Sequence, residues 1–189
     1  MALRTQSRRE DQAADGVRLN EVVSECLTLT GGRIKRFVIQ EHLATDLPTL
    51  TCFRSRIGQV MTNLLANAGD ALAQHTDEAR GRGESFEGTL RVETTEQARE
   101  GTAGVMVTVA DNGPGVPEAI REQIFEEFFT TKPAGVGTGL GLSMCLAIVK
   151  DHGGILEVST DEVLGGARFD LWLPLKPSES TPKEPVAAR

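Results

Sequence analysis

The sequence predicts an α+β fold, a two-layer sandwich in which a mixed, mainly antiparallel sheet packs on about three helices. Two observations predict it. Helical and extended segments are grouped along the chain instead of alternating one by one, and the segments TLRVETTE and VMVTVAD lie close enough to pair as antiparallel neighbours. With 189 residues and 39% hydrophobic side chains, the chain can bury the core of one domain.

The first half of this domain predicts two helices and two strands. A helix begins at Asn20, whose side chain can cap the segment LNEVVSECLTL. The strands FVIQEHLA and TLTCF follow and are separated by the turn-like DLP. A long helix runs from about Arg54 to Gln74, and a Gly-rich, charged insertion extends from His75 to Gly88.

The second half begins with the antiparallel pair of strands, after which the segment PEAIREQIFEEF predicts a helix. The last helix, LGLSMCLAIVKDH, ends at Gly153 and Gly154, as expected for a helix C-terminus. The strands ILEVST and ARFDLWLPL close the domain.

The chain divides into one domain and two polar ends. Residues 1–15 are polar and without periodicity, which indicates the remnant of a linker, and residues 176–189 mix Pro, Ser and charge as disordered tails do. The domain covers residues 16–175. Its cysteines lie apart among apolar neighbours, which predicts buried free thiols and neither a disulfide nor a zinc site: Cys26, Cys52 and Cys145.

The composition argues against several classes of protein. A formal net charge of -7 and an aromatic content of 4% argue against a nucleic-acid surface, which would show a basic patch. No apolar run approaches the roughly 20 residues that span a bilayer, and the N-terminal segment lacks the apolar core of a secretory signal. We therefore expect a cytoplasmic location, which leaves open a membrane anchor ahead of residue 1.

The long helix carries two stripes. Apolar residues share one arc at helical spacing and predict the core face: Ile57, Val60, Met61, Leu64, Leu65, Ala68, Ala71 and Leu72. A polar stripe lies beside it: Gln59, Asn63, Asn67, Asp70 and Gln74. Two asparagines one turn apart at a core boundary need partners such as a metal ion or phosphate oxygens. An ordinary solvated face is the alternative at this point.

A second signal lies where the strand VTVAD ends in Asp111 and runs into a turn. A carboxylate at a strand end can accept a hydrogen bond from an exocyclic amine, and Gly113 and Gly115 let the backbone approach a flat ring. A simple Asp-Asn-Gly turn is the alternative.

A third signal is a glycine-rich segment that leads into the last helix. Its alternate glycines expose successive N–H groups in front of a helix N-terminus, which favours phosphate oxygens: Gly135, Gly137, Gly139 and Gly141. Just upstream, the hydroxyls of Thr130 and Thr131 and the ammonium of Lys132 could reach a terminal phosphate. P-loop, Rossmann and protein-kinase motifs are absent from the sequence.

The order of these motifs resembles the superfamily of DNA gyrase, heat-shock chaperone, mismatch-repair and sensor histidine kinase ATPases. Asn63 to Ala68 resembles the kinase N box, Asp111 to Gly115 the first glycine box, Phe125 to Phe129 the phenylalanine box, and Gly137 to Gly141 the second glycine box. The stretch FFTTKPAGVGTGLGLSMCLAIVKDHGG resembles kinases of the nitrogen-regulatory and dicarboxylate-sensing kind.

The resemblance implies a left-handed βαβ, Bergerat-type ATP-binding fold that uses ATP and Mg²⁺. It implies that Asp111 reads adenine, that Asn67 holds Mg²⁺ with support from Asn63, and that Lys132 neutralises phosphate charge. It also implies that the loop from Thr130 to Gly141, with Thr138 and Leu140, folds over the phosphates, next to Asp70.

The resemblance further distinguishes transfer from hydrolysis. Gyrase-like ATPases carry a glutamate at the position of Asn63, and a carboxamide cannot take a proton from water, so Asn63 and Lys132 are expected to act in phosphoryl transfer. Family phosphoacceptors lie in a helical box ahead of the ATP domain, and none of the chain's histidines fits that description: His42, His75 and His152. The expected partners are therefore a histidine-containing dimerisation domain and a response regulator receiver domain, with this piece itself monomeric.

One departure and two rival classes remain open at this point. Relatives often carry a threonine at the position of Ala167. The alanine lacks the hydroxyl of threonine, and this loss either weakens nucleotide binding or shifts the contact to another group. An anti-sigma-factor serine kinase would use the same ATP site, but the phenylalanine box and the TTKP segment disfavour it. A pseudokinase scaffold is disfavoured by the intact Asn67, Asp111 and glycines.

Overall fold

A five-stranded sheet and three α-helices make up the two layers of the fold in the computed structural model, which describes residues 13–132 and 137–176. The helices are α1 (Leu19–Ile34), α2 (Arg54–Gly81) and α3 (Gly141–Asp151). The sheet is formed by β2 (Val38–Leu43), β4 (Thr89–Glu96), β5 (Gly104–Asp111), β6 (Ile155–Thr160) and β7 (Ala167–Pro174). The predicted α+β sandwich is confirmed.

The order of strands in the sheet is β2-β4-β5-β7-β6. The pairing of β2 with β4 is parallel and the other pairs are antiparallel, so the sheet is mixed and mainly antiparallel, as predicted. All eight residues of the middle strand, β5, are buried. Its C-terminal residue, Asp111, therefore lies at the end of the most enclosed strand.

A separate two-stranded ribbon pairs β1 (Ala14–Val17) with β3 (Leu50–Cys52) in antiparallel fashion. The strand β1 begins inside the segment predicted to be a linker, so Ala14 and Asp15 belong to the folded part. The rest of that linker, and the predicted tail beyond Lys176, lie outside the described residues. The three cysteines are free and buried, as predicted.

The core lies between α2 and the sheet, because the apolar arc of α2 faces β5. Every residue of the predicted arc is buried except Ala71, which is half-buried beside a cavity. Burying one such leucine fully stabilises the fold by about 1.5–3 kcal/mol, so this face fixes how α2 is rotated. The polar stripe of α2 is thereby directed to the side of the core.

Asn20 does not cap α1, contrary to prediction. The helix begins at Leu19 with Arg18 as its N-cap residue, and no side chain caps it. The amide of Asn20 instead donates to Ala44 O at 2.8 Å, and its carbonyl oxygen accepts from Thr94 Oγ1 at 2.9 Å. A tertiary tie to the sheet thus replaces the local cap.

Two helix predictions also differ from the structure. The helix α2 continues to Gly81, so His75 and the first part of the predicted insertion are helical. The helix predicted in PEAIREQIFEEF is wrong, because this segment forms only two 3₁₀ turns, Glu118–Ile120 and Gln123–Phe125. Of the residues in these turns only Ile124 is buried, and a helix without a packed face has little stability of its own.

Candidate functional site

A cavity of about 620 Å³ lies between α1, α2, the loop after β5 and the segment before α3. This volume is in the usual range for sites that bind small molecules. The cavity gathers most of the predicted site residues: Asn63, Asn67, Asp70, Asp111, Gly115, Thr130, Thr131, Lys132, Gly137, Thr138, Gly139 and Gly141. Residues far apart in the sequence therefore share one site.

Two of the predicted residues that the structure describes, Gly113 and Leu140, do not line this cavity. Gly113 acts through its backbone, since its N–H donates to Asp111 Oδ1 at 2.8 Å. Leu140 is the N-cap residue of α3, and its N–H donates to Thr138 Oγ1 at 3.4 Å. Gly135 lies outside the described residues, so its predicted role stays a prediction.

Asp111 is a buried carboxylate with one oxygen fixed. Its Oδ1 accepts hydrogen bonds from Gly113 N at 2.8 Å and Ala167 N at 3.3 Å. No described residue donates to Oδ2, which is left to accept from a ligand. Burial raises the pKa of Asp111, while the two backbone N–H groups oppose that rise.

The turn between β6 and β7 holds Asp111 from behind, and sequence reasoning missed this contact. A Cβ atom at Gly166 would overlap with the backbone and carboxylate oxygens of Asp111, so only glycine lets the turn come this close. The next residue, Ala167, is buried and supplies the second N–H to Oδ1. The Gly165–Gly166 pair was the available signal, but sequence does not show what a glycine touches.

Asn67 and Asn63 differ in how they are held. The half-buried side chain of Asn67 lines the cavity and makes no hydrogen bond to the described residues, so its carboxamide can serve a ligand. Burial raises the pKa of the Cys145 thiol of α3 to about 11, and the neighbouring Asn63 side chain opposes that rise. The thiol is therefore a neutral S–H at physiological pH, and it donates to Val60 O at 3.9 Å. Asn63 lies close to Gly141, so it stands where α2 meets the start of α3 beside the cavity.

Charged side chains meet at Asp70, one turn beyond Asn67. Lys132 Nζ lies 2.7 Å from Asp70 Oδ2, and Arg33 Nη1 lies 3.1 Å from both carboxylate oxygens. Lys132 also lines the cavity, whereas Arg33 comes from the last turn of α1 and has no place in the sequence analysis. No local pattern marks Arg33, because the fold brings it to Asp70 across 37 positions of sequence.

The glycine-rich segment approaches its neighbours closely before α3 begins. Gly139 has φ +67°, a left-handed conformation, and a Cβ there would overlap with the backbone of Phe128. The two residues are also joined by a hydrogen bond from Phe128 N to Gly139 O at 2.9 Å. Behind this contact, Gly141 starts α3 at the cavity wall, so the unpaired N–H groups of the first turn favour an anion there.

Another part of the wall is apolar, and sequence reasoning missed it as well: Val116, Ile124, Phe129, Leu142 and Phe169. An apolar wall near a fixed carboxylate suits a flat aromatic ring that carries an amine donor. Among the described residues, no group of three or more His, Cys, Asp or Glu side chains could hold a metal. A metal ion here would take oxygens from Asn67 and from the bound molecule.

The comparisons with known proteins agree with this geometry. The family described as histidine kinase-, DNA gyrase B- and HSP90-like ATPase matches residues 53–177. The sensor histidine kinase ZraS of Escherichia coli O157:H7 is 35% identical over 173 residues, 90% of this chain and 34% of ZraS. The C4-dicarboxylate transport sensor protein DctB of Rhizobium meliloti is 36% identical over 160 residues, 84% of this chain and 23% of DctB. The chain spans about a third or less of these relatives.

Solved structures share the fold. The catalytic domain of the histidine kinase ThkA matches with a TM-score of 0.69 and 28% identity, over 88% of this chain and 97% of that one. ThkA in complex with the response regulator protein TrrA matches with a TM-score of 0.67 and 28% identity, over 88% and 43% of the two chains. The predicted resemblance to sensor histidine kinases of the nitrogen-regulatory and dicarboxylate-sensing kind is confirmed. Separately, none of the described helices is long and apolar enough to cross a membrane.

Proposed function

The chain is an ATP-binding catalytic domain of the sensor histidine kinase type, within the family of histidine kinase-, DNA gyrase B- and HSP90-like ATPases, and we propose that it binds Mg-ATP and transfers the γ-phosphoryl group to a histidine of a dimerisation domain. The observation that carries the proposal is that one cavity unites Asp111, Asn67 and the glycine-rich segment. These are the groups that an adenine, a metal ion and a phosphate chain require.

The adenine end is assigned to Asp111. With Oδ1 held by two backbone N–H groups, Oδ2 would accept from the exocyclic amine of adenine, and the apolar wall would cover the ring. Guanine bound in the same orientation would present a carbonyl oxygen to Oδ2 in place of the amine, and neither oxygen could donate, so this orientation favours adenine.

The phosphate end is assigned to the N-terminus of α3 and to Lys132, beside Asn67. The donor set fits magnesium, which prefers oxygen ligands and is commonly bound by one or two protein oxygens together with substrate phosphates. When bound, Mg²⁺ would neutralise phosphate charge. Asn67 would hold the ion, Asn63 would support the start of α3, and Lys132 would neutralise charge at the terminal phosphate.

Transfer, not hydrolysis, fits the side chains of the site. Asn63 cannot act as a general base, because a carboxamide does not take a proton from water. The acceptor is proposed to be a histidine outside this chain, because none of its own three histidines lines the cavity. His152 is buried, with Phe53 N donating to its Nε2 at 3.1 Å, and His75 packs on Phe86 with 4.5 Å between ring centroids. His42 lies on β2, and its Nδ1 is 3.2 Å from Glu93 Oε1.

The partners follow from this assignment. We propose that a dimerisation domain presents the acceptor histidine and that a response regulator receiver domain takes the phosphoryl group onward, as the complex of ThkA with TrrA suggests for that kinase. This chain by itself is proposed to be monomeric, which sedimentation velocity would test. A cytoplasmic location is proposed as well, because the reaction draws on the ATP of that compartment.

The test is a calorimetric titration of the chain with a non-hydrolysable ATP analogue, first with Mg²⁺ and then with EDTA. We expect saturable binding that weakens when EDTA removes the metal. A matching titration with the GTP analogue should show much weaker binding. Absence of binding to the ATP analogue, by a chain whose circular dichroism shows it to be folded, would overturn the proposal.

A further inference from the structure

Lys132 alone cannot neutralise the charge of a phosphate chain bound in the cavity. Among the described residues that line the cavity, the cations are Arg33 and Lys132, and the carboxylates are Asp70 and Asp111. Asp111 is held by backbone N–H groups, so only Asp70 pairs with the cations. A nucleoside triphosphate carries several negative charges, so a second cation beside Lys132 would help to balance them.

Arg33 is placed where a phosphate chain would pass. It contacts Asp70 from α1, Lys132 contacts Asp70 from the connection before α3, and Asp70 lies one helical turn from Asn67, which has no hydrogen bond to the described residues. A carboxylate held between two cations presents oxygens and charge as a phosphate group does, so the three side chains outline an anion position next to Asn67.

The Arg33–Asp70 pair is also too exposed to be explained as a strut of the fold. Its side chains are 59% and 36% exposed, and ion pairs that are this exposed contribute little to the stability of a fold. The contacts with Asp70 engage only Nη1 of Arg33, so the other donors of its guanidinium fork remain for phosphate oxygens. Rearranging the Arg33–Asp70 ion pair therefore costs little free energy, and the pair orients the guanidinium group of Arg33.

We propose that Arg33 is a phosphate-binding residue of the nucleotide site and that Asp70 positions both Arg33 and Lys132 for the phosphate chain. This inference rests on the proposed function, since it specifies which part of the nucleotide Arg33 contacts. Arg33 then recognises the outer phosphates and has no contact with the base. The site therefore discriminates among ATP, ADP and AMP.

The experiment compares Arg33→Gln with Lys35→Gln, which removes the same charge from an exposed residue just past the end of α1. Calorimetry with AMP, ADP and the non-hydrolysable ATP analogue is run on both variants and on the unaltered chain. Arg33→Gln is expected to weaken binding of the ATP analogue by about tenfold or more, since a charged hydrogen bond is lost. For Arg33→Gln, the affinity for ADP should fall by less, and the affinity for AMP should change by less than about twofold. For Lys35→Gln, the affinities for all three nucleotides should change by less than about twofold.

Arg33→Lys supplies a second variant that keeps the charge and loses the fork, and it should fall between the unaltered chain and Arg33→Gln. Equal losses in Arg33→Gln and Lys35→Gln would overturn the inference, and so would an Arg33→Gln loss that is as large for AMP as for the ATP analogue. If the unaltered chain bound none of the three nucleotides, the proposed function would fail, and this inference with it.

Discussion

At the scale of single residues, the site depends on how Asp111 is held at the end of the central strand. Burial alone would favour the protonated acid, and the N–H groups of Gly113 and Ala167 offset part of that effect. The two donors share Oδ1, so Oδ2 is the oxygen that can accept a hydrogen bond from the ligand. The missing hydroxyl at Ala167 leaves its backbone N–H contact in place.

The first prediction concerns recognition of the base. Asp111→Asn keeps an oxygen for Gly113 and Ala167 but places an NH₂ group where the amine of adenine would donate. Affinity for the ATP analogue should fall by about 1.5–3 kcal/mol or more, which is tenfold to over a hundredfold. Calorimetry measures this, and a variant that binds as tightly as the unaltered chain would contradict the role of Asp111.

The second prediction is that the same substitution changes how the free energy of unfolding depends on pH. The pKa of Asp111 is raised above its ordinary value of 3.8, chiefly by burial. An acid with a raised pKa in the folded state adds stability below its unfolded pKa and loses that contribution as the pH rises through the folded pKa. Asp111→Asn should therefore gain stability relative to the unaltered chain as the pH rises above 3.8. Urea unfolding at a series of increasing pH values checks the sign, and a relative loss would refute it.

A third prediction concerns the metal. Asn67→Ala removes an oxygen that has no other partner among the described residues, so the fold should be little affected while the Mg²⁺ dependence of nucleotide binding weakens. The matched control is Gln59→Ala, on the same stripe of α2, where the side chain contacts Met144 instead of the cavity. Calorimetry with and without Mg²⁺ separates the two, and an unchanged Mg²⁺ effect in Asn67→Ala would remove Asn67 from the metal site.

At the scale of elements, the phosphate end is built by the entry into α3. The glycine-rich segment passes so close to Phe128 that the chain there tolerates no side chain, and α3 then starts at the cavity wall. The glycines are thus needed for close packing, because the exposed N–H groups can bind phosphate only if the segment lies against its neighbours.

A fourth prediction tests this entry. Gly139→Ala would place a Cβ in a left-handed residue against Phe128, and we expect it to lower the free energy of unfolding and also to weaken nucleotide binding. Gly101→Ala is matched in conformation, with φ +77° in the turn between β4 and β5, but nothing lies near its Cβ. It should lose about 1–2 kcal/mol of stability and no affinity. Thermal unfolding and calorimetry measure both, and equal effects on affinity would contradict the argument.

At the scale of the whole molecule, a buried ion pair joins the sheet to the turn that supports Asp111. Arg91 of β4 contacts Asp161 just after β6, and both side chains are nearly inaccessible, at 9% and 1%. Asp161 Oδ1 also accepts from Val163 N and Leu164 N, so it shapes the turn that carries Gly166. Stability of the fold and geometry of the site are linked through this turn.

The fifth prediction follows from that link. Arg91→Met leaves the Asp161 carboxylate buried, with the longer contact to Arg168, at 4.0 Å, as its remaining described ion pair, and should cost about 3–5 kcal/mol. Arg99→Met removes a pair with Glu157 whose side chains are 25% and 55% exposed, and should cost less than about 1 kcal/mol. Urea unfolding of both variants checks the difference, and similar costs would show that the buried pair is not special.

The sequence determined the class of fold, most of the strands, and the motifs of the site, because periodicity and short motifs are local properties. Asp111, Asn67 and Lys132 could all be proposed from their own neighbourhoods in the chain. Sequence failed where packing overrode a local signal: Asn20 bonds to the sheet instead of capping α1, and the segment before the phenylalanine box lacks the packed face that a helix needs.

The tertiary structure alone decided which residues meet across long separations. Arg33 reaches Asp70 from another helix, Gly166 lies against Asp111 from a distant turn, and the apolar wall assembles from the β5–α3 connection, α3 and β7. None of these contacts leaves a periodic trace, because each depends on where α1 and the strands settle on a common core. The sequence therefore determined the chemistry available to this protein, and the packing of helices against the sheet decided which of it converges on one cavity.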